Sequence, residues 1–370
     1  SGICCANLLH KSMNFPKSKE KPATPIHQIT VRIARAPPDP VVKKEKEYKV
    51  MGIISVTNLK KVYGDVKAVD DISFDVRSGE VFGFLGPNGA GKTSTINMMT
   101  GLSRPTGGQI YIDGIDAVKD VKKVQRIIGV IPDENNLYDE MNGFENLCFC
   151  ASLYGMRKEE REKRAAELLE QFNLTKAANR PFKTYSKGMK RKLTIAAGII
   201  HNPKILFLDE PTTGIDVESA IQIRELILDL KKQGKTIFVT THYIEEAERI
   251  CDRIAFIVNG RIVRTGLITE LMSDSGKEYK IQLKLDRITK EIGEELENTI
   301  KNCSAEIIDD NLCLITSKER LELYPVIELL KNKGISVYEA KEIKSTLEEV
   351  FVKITDIKAS KLNDKGGVAG

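Results

Sequence analysis

No stretch of the 370 residues comes near the ~18 consecutive apolar positions that a bilayer-spanning helix needs. The best apolar runs, Val81 to Leu85 and Ile254 to Val258, are short, so any membrane-crossing part is expected in another chain. A secretory signal is also missing, because no compact apolar core leads to a small-residue cleavage site. The seven cysteines, at positions 4, 5, 148, 150, 251, 303 and 313, are odd in number and scattered. That pattern fits a reducing, cytosolic compartment better than a disulfide framework. Cys148 and Cys150 fall within a helical apolar pattern, where small buried thiols are expected rather than a metal site. A basic surplus is lacking as well, once the chain is divided: residues 1–50 carry a net +6 and the remainder −1. A nucleic-acid partner is therefore not expected.

The length that is present suffices for two or three structural units and a sizeable core. Residues 1–50 hold the cluster Pro37, Pro38 and Pro40 and a mixed charge run from Lys43 to Lys49, with little periodicity, and predict disorder. Patterning begins abruptly after Met51. That makes Met51 the expected natural start and the preceding stretch an expected upstream read-through or non-native leader.

The most informative stretch is Gly86 to Ser94, GPNGAGKTS, which follows the apolar run Val81 to Leu85 and leads into a helix-like segment. This is the strand–loop–helix setting of a phosphate-binding loop. Gly86, Gly89 and Gly91 let the backbone bend and bring its N–H groups to phosphate oxygens, at a helix N-terminus that favours an anion. Pro87, Asn88, Ala90 and Ser94 complete the loop. Lys92 is expected to reach the β- and γ-phosphates, and Thr93 to offer its hydroxyl to Mg²⁺. A nucleotide with Mg²⁺ is thus the expected ligand.

Further along, Ile205 to Asp209 reads as a buried strand, ILFLD, followed at once by Glu210. Two adjacent carboxylates at the end of an apolar strand are costly to bury for stability alone. Asp209 is placed to hold Mg²⁺ through water, and Glu210 to polarise the attacking water as general base. Ser186, in YSKGMK, is a plausible N-cap for the helix that follows. Asp216 is expected to cap a helix over Val217 to Gln233 that buries Ala220, Ile223, Ile227 and Leu230 on one face. His242 ends another apolar strand, Thr236 to Thr240, where α/β folds place their ligands. Tyr63, in LKKVYGD, is either an aromatic platform for adenine or an ordinary strand-end tyrosine.

From Lys277 to Ala340 the pattern changes to strand, helix, hairpin, helix and strand, the βαββαβ order of a ferredoxin-like unit. The second of these helices is expected over Arg320 to Lys333 and the last strand over Ile335 to Ala340. A closing helix over Thr346 to Ile354 is expected to start with a capping box of Ser345 and Glu348.

In these motifs the chain resembles the nucleotide-binding subunit of an ATP-binding cassette (ABC) transporter, over Gly52 to about Ile354, and most closely the separate ATPase subunits of ABC-2 type exporters. Tyr63 stands as the aromatic loop, Gly86 to Thr93 as Walker A, Ser186 to Lys190 as the signature, Ile205 to Asp209 as Walker B, Asp216 in the D-loop and His242 as the switch histidine. The resemblance implies an α/β P-loop NTPase of ABC type, with an antiparallel β and a helical subdomain, plus the α+β ferredoxin-like unit. The expected boundaries are a leader at 1–50, a nucleotide-binding domain at 51–274 with its helical subdomain at about 134–200, an accessory domain at 275–356 and a disordered tail at 357–370.

By the same resemblance two cassettes pack head to tail, so that Ser186 and Gly188 of one meet ATP on the Walker A loop of the other. A second ATPase subunit, most simply a copy of this chain, and an integral-membrane permease as a separate chain are then the expected partners, at the cytoplasmic face of the membrane. The implied work is ATP hydrolysis that drives export of Na⁺, drugs or peptides. The alternative is a soluble ABC ATPase of translation or antibiotic protection; those carry two cassettes per chain, and one is found here. Lys92 and Ser186 are too close for the coiled-coil insertion of chromosome-maintenance ATPases. Two departures stand out. Lys187 and Met189 replace the usual Gly and Gln of the signature, and Asp133 stands where Gln is usual. An ionised Asp only accepts hydrogen bonds, so Asp133 is expected to approach Mg²⁺ through water and to alter coupling at its loop.

Overall fold

The computed structural model describes residues 52–134, 136–274, 279–299, 302–343 and 346–355. The expectations for the leader at 1–50, for Met51 as start, for Ser345 as a cap and for the tail at 357–370 lie outside the described residues.

Two sheets contribute to one hydrophobic cluster, Ile54, Ile72 and Ile110 from one and Phe82, Phe84 and Phe207 from the other. Strands β1 (Ile54–Tyr63), β2 (Val66–Val76), β4 (Gly107–Ile112) and β5 (Ile115–Asp116) form an antiparallel sheet in the order β2-β1-β4-β5. The central sheet runs β10-β9-β3-β8-β7-β6, from β3 (Val81–Leu85), β6 (Ile128–Ile131), β7 (Ile205–Asp209), β8 (Thr236–Thr241), β9 (Arg253–Val258) and β10 (Arg261–Leu267). All but β10 are parallel in it. Every residue of β3, β7 and β8 is buried, which is why these strands read as continuous apolar runs rather than alternating ones. Phe74 of β2 lies 5.7 Å from Phe82, 5.5 Å from Phe84 and 5.9 Å from Phe238, and this aromatic cluster joins the two sheets.

Helix α1 (Lys92–Met99) follows β3, and α2 (Val121–Ile127) precedes β6. The helical part comprises α3 (Gly143–Leu153) and α4 (Lys158–Gln171), then two short 3₁₀ turns that lead to α5 (Lys187–Ile199). An Asn142/Glu145 capping box starts α3. Cys150 is buried on α3, beside the core residues Leu147 and Ala151. Helix α6 (Val217–Lys232) buries Ala220, Ile223, Ile227 and Leu230, the face expected from its spacing. Helix α7 (Ile244–Ile250) follows β8, and α8 (Ile268–Asp274) follows β10.

The C-terminal unit contains β11 (Tyr279–Leu285), α9 (Lys290–Thr299), β12 (Cys303–Asp309), β13 (Leu312–Ser317), α10 (Leu323–Asn332) and β14 (Val337–Ile343), with sheet order β12-β13-β11-β14. All its pairings are antiparallel. Ile281, Leu283, Leu285, Leu296, Cys313 and Leu330 form part of its own core. Helix α10 begins at Leu323 and not at Arg320. Pro325 has no N–H to donate, so the helix starts where Pro325 falls in the first turn, whose N–H groups have no partner within the helix. The last strand starts at Val337 and not at Ile335, which instead packs into the core.

Helix α11 (Leu347–Thr355) departs from the expected division at 275. Thr346 caps it, its Oγ1 accepting from Glu349 N at 3.3 Å. Its apolar face, Leu347, Val350 and Phe351, does not join the C-terminal core. It packs on Ile244, Ala247, Phe256, Ile268 and Leu271, with the rings of Phe351 and Phe256 5.2 Å apart. The chain thus returns to cover the helix that follows the β8 strand end. Phe351→Ala is expected to cost about 3–5 kcal/mol, the usual penalty for emptying a buried aromatic site. Urea unfolding followed by circular dichroism checks this, and an unchanged midpoint would show that α11 is an ornament.

Candidate functional site

The loop between β3 and α1 bends at Gly91, which precedes α1 with a left-handed φ of 104°. A Cβ there would be strained and would also crowd Val69 Cγ2 at 3.3 Å. No side chain caps α1, and no acidic residue occupies its first turn. Its leading N–H groups therefore face the cleft with the positive end of the helix behind them. The cleft encloses about 370 Å³ and is lined by Asn88, Gly89, Gly91, Lys92, Thr93, Ser94, Asp133, Asp209, Glu210 and His242, among others. The expected phosphate loop and both expected carboxylates are thus brought together.

Lys92 is buried, its Nζ donating to the carbonyls of Gly86 at 2.7 Å and Pro87 at 3.3 Å, and standing 3.2 Å from Glu210 Oε1. Thr93 Oγ1 donates to Asp209 Oδ2 at 3.0 Å. Thr240 donates to the other oxygen of Asp209. Burial pushes the Asp209 carboxyl up, against the hydrogen bonds from Thr240 and Thr93.

Glu210 Oε2 meets His242 Nδ1 at 2.8 Å and accepts from Thr213 Oγ1 at 3.1 Å. Burial works to raise its pKa, but the His242 hydrogen bond and the Lys92 charge together hold it below the usual carboxylate value. Glu210 is therefore an anion with one oxygen on a histidine and the other on a lysine. The Tyr243 ring stands 4.0 Å from that of His242 and braces it from the next position.

Asp133 lies at the mouth of the cleft, facing solvent yet crowded by protein on one side. Its carboxyl is pushed up by partial burial, an effect opposed by Arg191 and reinforced by Asp209 and Glu210. Thr93 and Asp209 make a hard-oxygen pair that fits Mg²⁺, which takes its remaining ligands from phosphate and water. No group of three or more His, Cys, Asp or Glu that could hold a metal ion occurs among the described residues.

Two expected site elements stand apart from this cleft. Tyr63 ends β1 and is 48% exposed, with Lys61 Nζ 4.6 Å above its ring. It is not among the residues that line the cleft. Ser186 caps α5, its hydroxyl accepting from Met189 N at 3.2 Å. Neither Ser186 nor Gly188 lines the cleft.

Gly188 is packed against α6 instead. A Cβ on it would come within 2.6 Å of Ser219 Cβ and 3.4 Å of Asp216 Oδ2. Asp216 in turn caps α6, taking hydrogen bonds from Ser219 N and Ser219 Oγ at 2.8 Å each. The signature and D-loop stretches are therefore one packed unit. Gly188→Ala is expected to displace Ser219 and its cap while leaving the cleft intact. Equilibrium dialysis should show ATP bound as in the parent protein, and urea unfolding should show a lower midpoint. A midpoint equal to the parent's would mean that the contact is slack.

Sequence reading passed over Arg191. It lies on α5 with Ile195 and Gly198 on one buried face, at positions i, i+4 and i+7, and is itself 3% exposed. Helical spacing could have marked it as a buried cation.

The protein-family model for ABC transporters matches residues 69–213. The chain is 34% identical over 306 residues to the daunorubicin resistance ATP-binding protein of Streptomyces coeruleorubidus, covering 82% of this chain and 95% of that one. This chain belongs to the ABC transporter family. The linearmycin resistance ATP-binding protein of Bacillus subtilis is another relative, 42% identical over 238 residues, 64% of this chain and 76% of the relative. Among solved structures, a dimeric ATP-binding cassette with ADP and phosphate in a post-hydrolysis state matches with a TM-score of 0.54 and 30% identity, covering 58% of this chain and 98% of that one. The cassette is accordingly an ATP-binding and ATP-hydrolysing protein. It has the ABC ATPase fold, with the C-terminal α+β unit added.

Proposed function

We propose that this cassette pairs with a second cassette around bound ATP and, by hydrolysing it, powers a transmembrane permease of the ABC-2 exporter type. The observation that carries the reading is the Lys92–Glu210–His242 constellation beside the Thr93–Asp209 pair. Lys92 trades its carbonyl contacts for the β- and γ-phosphates, and the N–H groups of Gly89 to Thr93 surround the same oxygens. Thr93 and Asp209, with Asp133 through water, hold Mg²⁺, which when bound offsets the charge that develops on the phosphate oxygens. Glu210 takes a proton from the attacking water, and His242 keeps its carboxylate oriented. Asp216, through its Ser219 cap, supports the signature of its own chain at the surface that meets the second cassette.

Head-to-tail pairing is supported by the position of Ser186, exposed at the start of α5 and outside the cleft of its own chain, where it can approach ATP on another. Tyr63 stacks on adenine once Lys61 moves off its ring. No helix among the described residues is long and apolar enough to cross a membrane. On this reading the cassette works from the cytoplasmic face, attached to a permease. Relatives named for resistance to daunorubicin and linearmycin support a bulky organic cargo over Na⁺, and do not favour a role in translation. Inverted vesicles from cells expressing the cassette with its permease should quench daunorubicin fluorescence with ATP and not with ADP. ATP hydrolysis with no ATP-driven movement of any cargo would remove the exporter reading and leave the ATPase.

A further inference from the structure

Eight non-glycine residues among those described have left-handed φ, and seven of them are Asn or Asp. Those short side chains tolerate that backbone by bonding locally. The eighth is Glu210, at φ 48°, which has no such relief. Strain at one residue of a cleft persists only where surrounding contacts over-determine it.

The contacts are visible. Glu210 N donates to the Thr240 carbonyl at 3.1 Å. The carbonyls on either side of Glu210 both accept from one side chain: Arg191 Nη2 donates to Asp209 O at 2.7 Å, and Arg191 Nε to Pro211 O at 2.9 Å. The remaining arm, Nη1, reaches the carbonyls of Pro132 and of Asp133, the latter at 3.2 Å. No ion pair to Arg191 is found among the described residues, and all four acceptors are backbone. A guanidinium is a rigid planar fork that can bond several carbonyls at once, which an ammonium cannot reproduce. Burial lowers the Arg191 pKa to about 10, against the pull of Asp133, Asp209 and Glu210, so it stays charged at neutral pH.

We propose that Arg191 is a positioning residue for hydrolysis: its guanidinium clips the left-handed backbone of Glu210 and ties that geometry to the Asp133 loop. Because Arg191 sits on α5, one turn past the Ser186 cap, the helix that begins with the signature also grips the base. A displacement of α5 would therefore be passed to Glu210 through the Arg191 contacts. This assignment rests on Glu210 acting as the base.

The test compares Arg191→Lys, Arg191→Met and Glu210→Gln in the full chain, by steady-state ATPase rates, fluorescent ATP-analogue binding and thermal melting. Arg191→Met is expected to lower kcat about 100-fold, the scale of a misplacement of about 1 Å, with KM for ATP nearly unchanged. Arg191→Lys should recover part of that loss, since it keeps the charge and some of the carbonyl contacts. A folded Arg191→Met protein with parental kcat would overturn the proposal. So would a loss of ATP affinity as large as the loss of rate, which would mark a merely structural role. Failure of both Arg191 variants to melt cooperatively would assign the guanidinium to folding and overturn it too. If Glu210→Gln turned over normally, the base assignment itself would fall, whatever Arg191 showed. If only Glu210→Gln were inactive, the positioning role alone would fall.

Discussion

Glu210→Gln is expected to abolish turnover and leave ATP bound between two cassettes. The substitution keeps the side chain's shape, so the oxygen that meets His242 at 2.8 Å can still accept a hydrogen bond. It removes the negative charge that stands 3.2 Å from Lys92 and that would take a proton from water. A positioned general base is worth about 10²- to 10⁴-fold, so the residual rate should fall near the detection limit. Binding should persist or tighten, because Lys92 no longer has to leave a carboxylate to reach phosphate. Size-exclusion chromatography with Mg·ATP should show a lasting dimer for the variant and none with ADP. Hydrolysis at the parental rate would show that another group activates the water.

The elements that could be read from the sequence are those whose function is written contiguously. GPNGAGKTS after a buried strand needs no tertiary information, and neither does ILFLD followed by Glu210. What eluded the sequence are contacts between distant positions. Gly188 against Ser219, Arg191 against the Asp209 and Pro211 carbonyls, and Phe351 against Phe256 each join residues whose spacing carries no signal. The C-terminal helix shows why. Leu347, Val350 and Phe351 form an apolar stripe that sequence alone detects, but a stripe does not say which of two cores it will cover. The start of α10 was missed for a local reason, the rank of Pro325 in the first turn, which outweighed the helical spacing that begins at Arg320.

Lys92→Ala is expected to have the other large effect, and through two routes. The first is the ligand: Lys92 is the only lysine or arginine among the residues that line the cleft, so its removal takes away a charge-assisted contact to phosphate. Such hydrogen bonds are worth about 1.5–3 kcal/mol, or about 10- to 150-fold in ATP affinity, and more in the rate, where charge develops on the same oxygens. The second is the cleft itself. Lys92 Nζ holds the Gly86 carbonyl at 2.7 Å and is one of the groups that keep Glu210 below its usual pKa. A carboxylate whose folded-state pKa lies below the ordinary 4.5 contributes stability that is present above 4.5 and lost as pH falls through the folded value. Without Lys92 burial is opposed by His242 and the Thr213 hydrogen bond, the depression shrinks, and the variant should show less of this acid-side loss than the parent. Titration with a fluorescent ATP analogue checks the first route, and urea midpoints from pH 7 down to roughly pH 3 check the second. Weak ATP binding together with an unchanged acid profile would confine Lys92 to the phosphate and remove it from the support of Glu210.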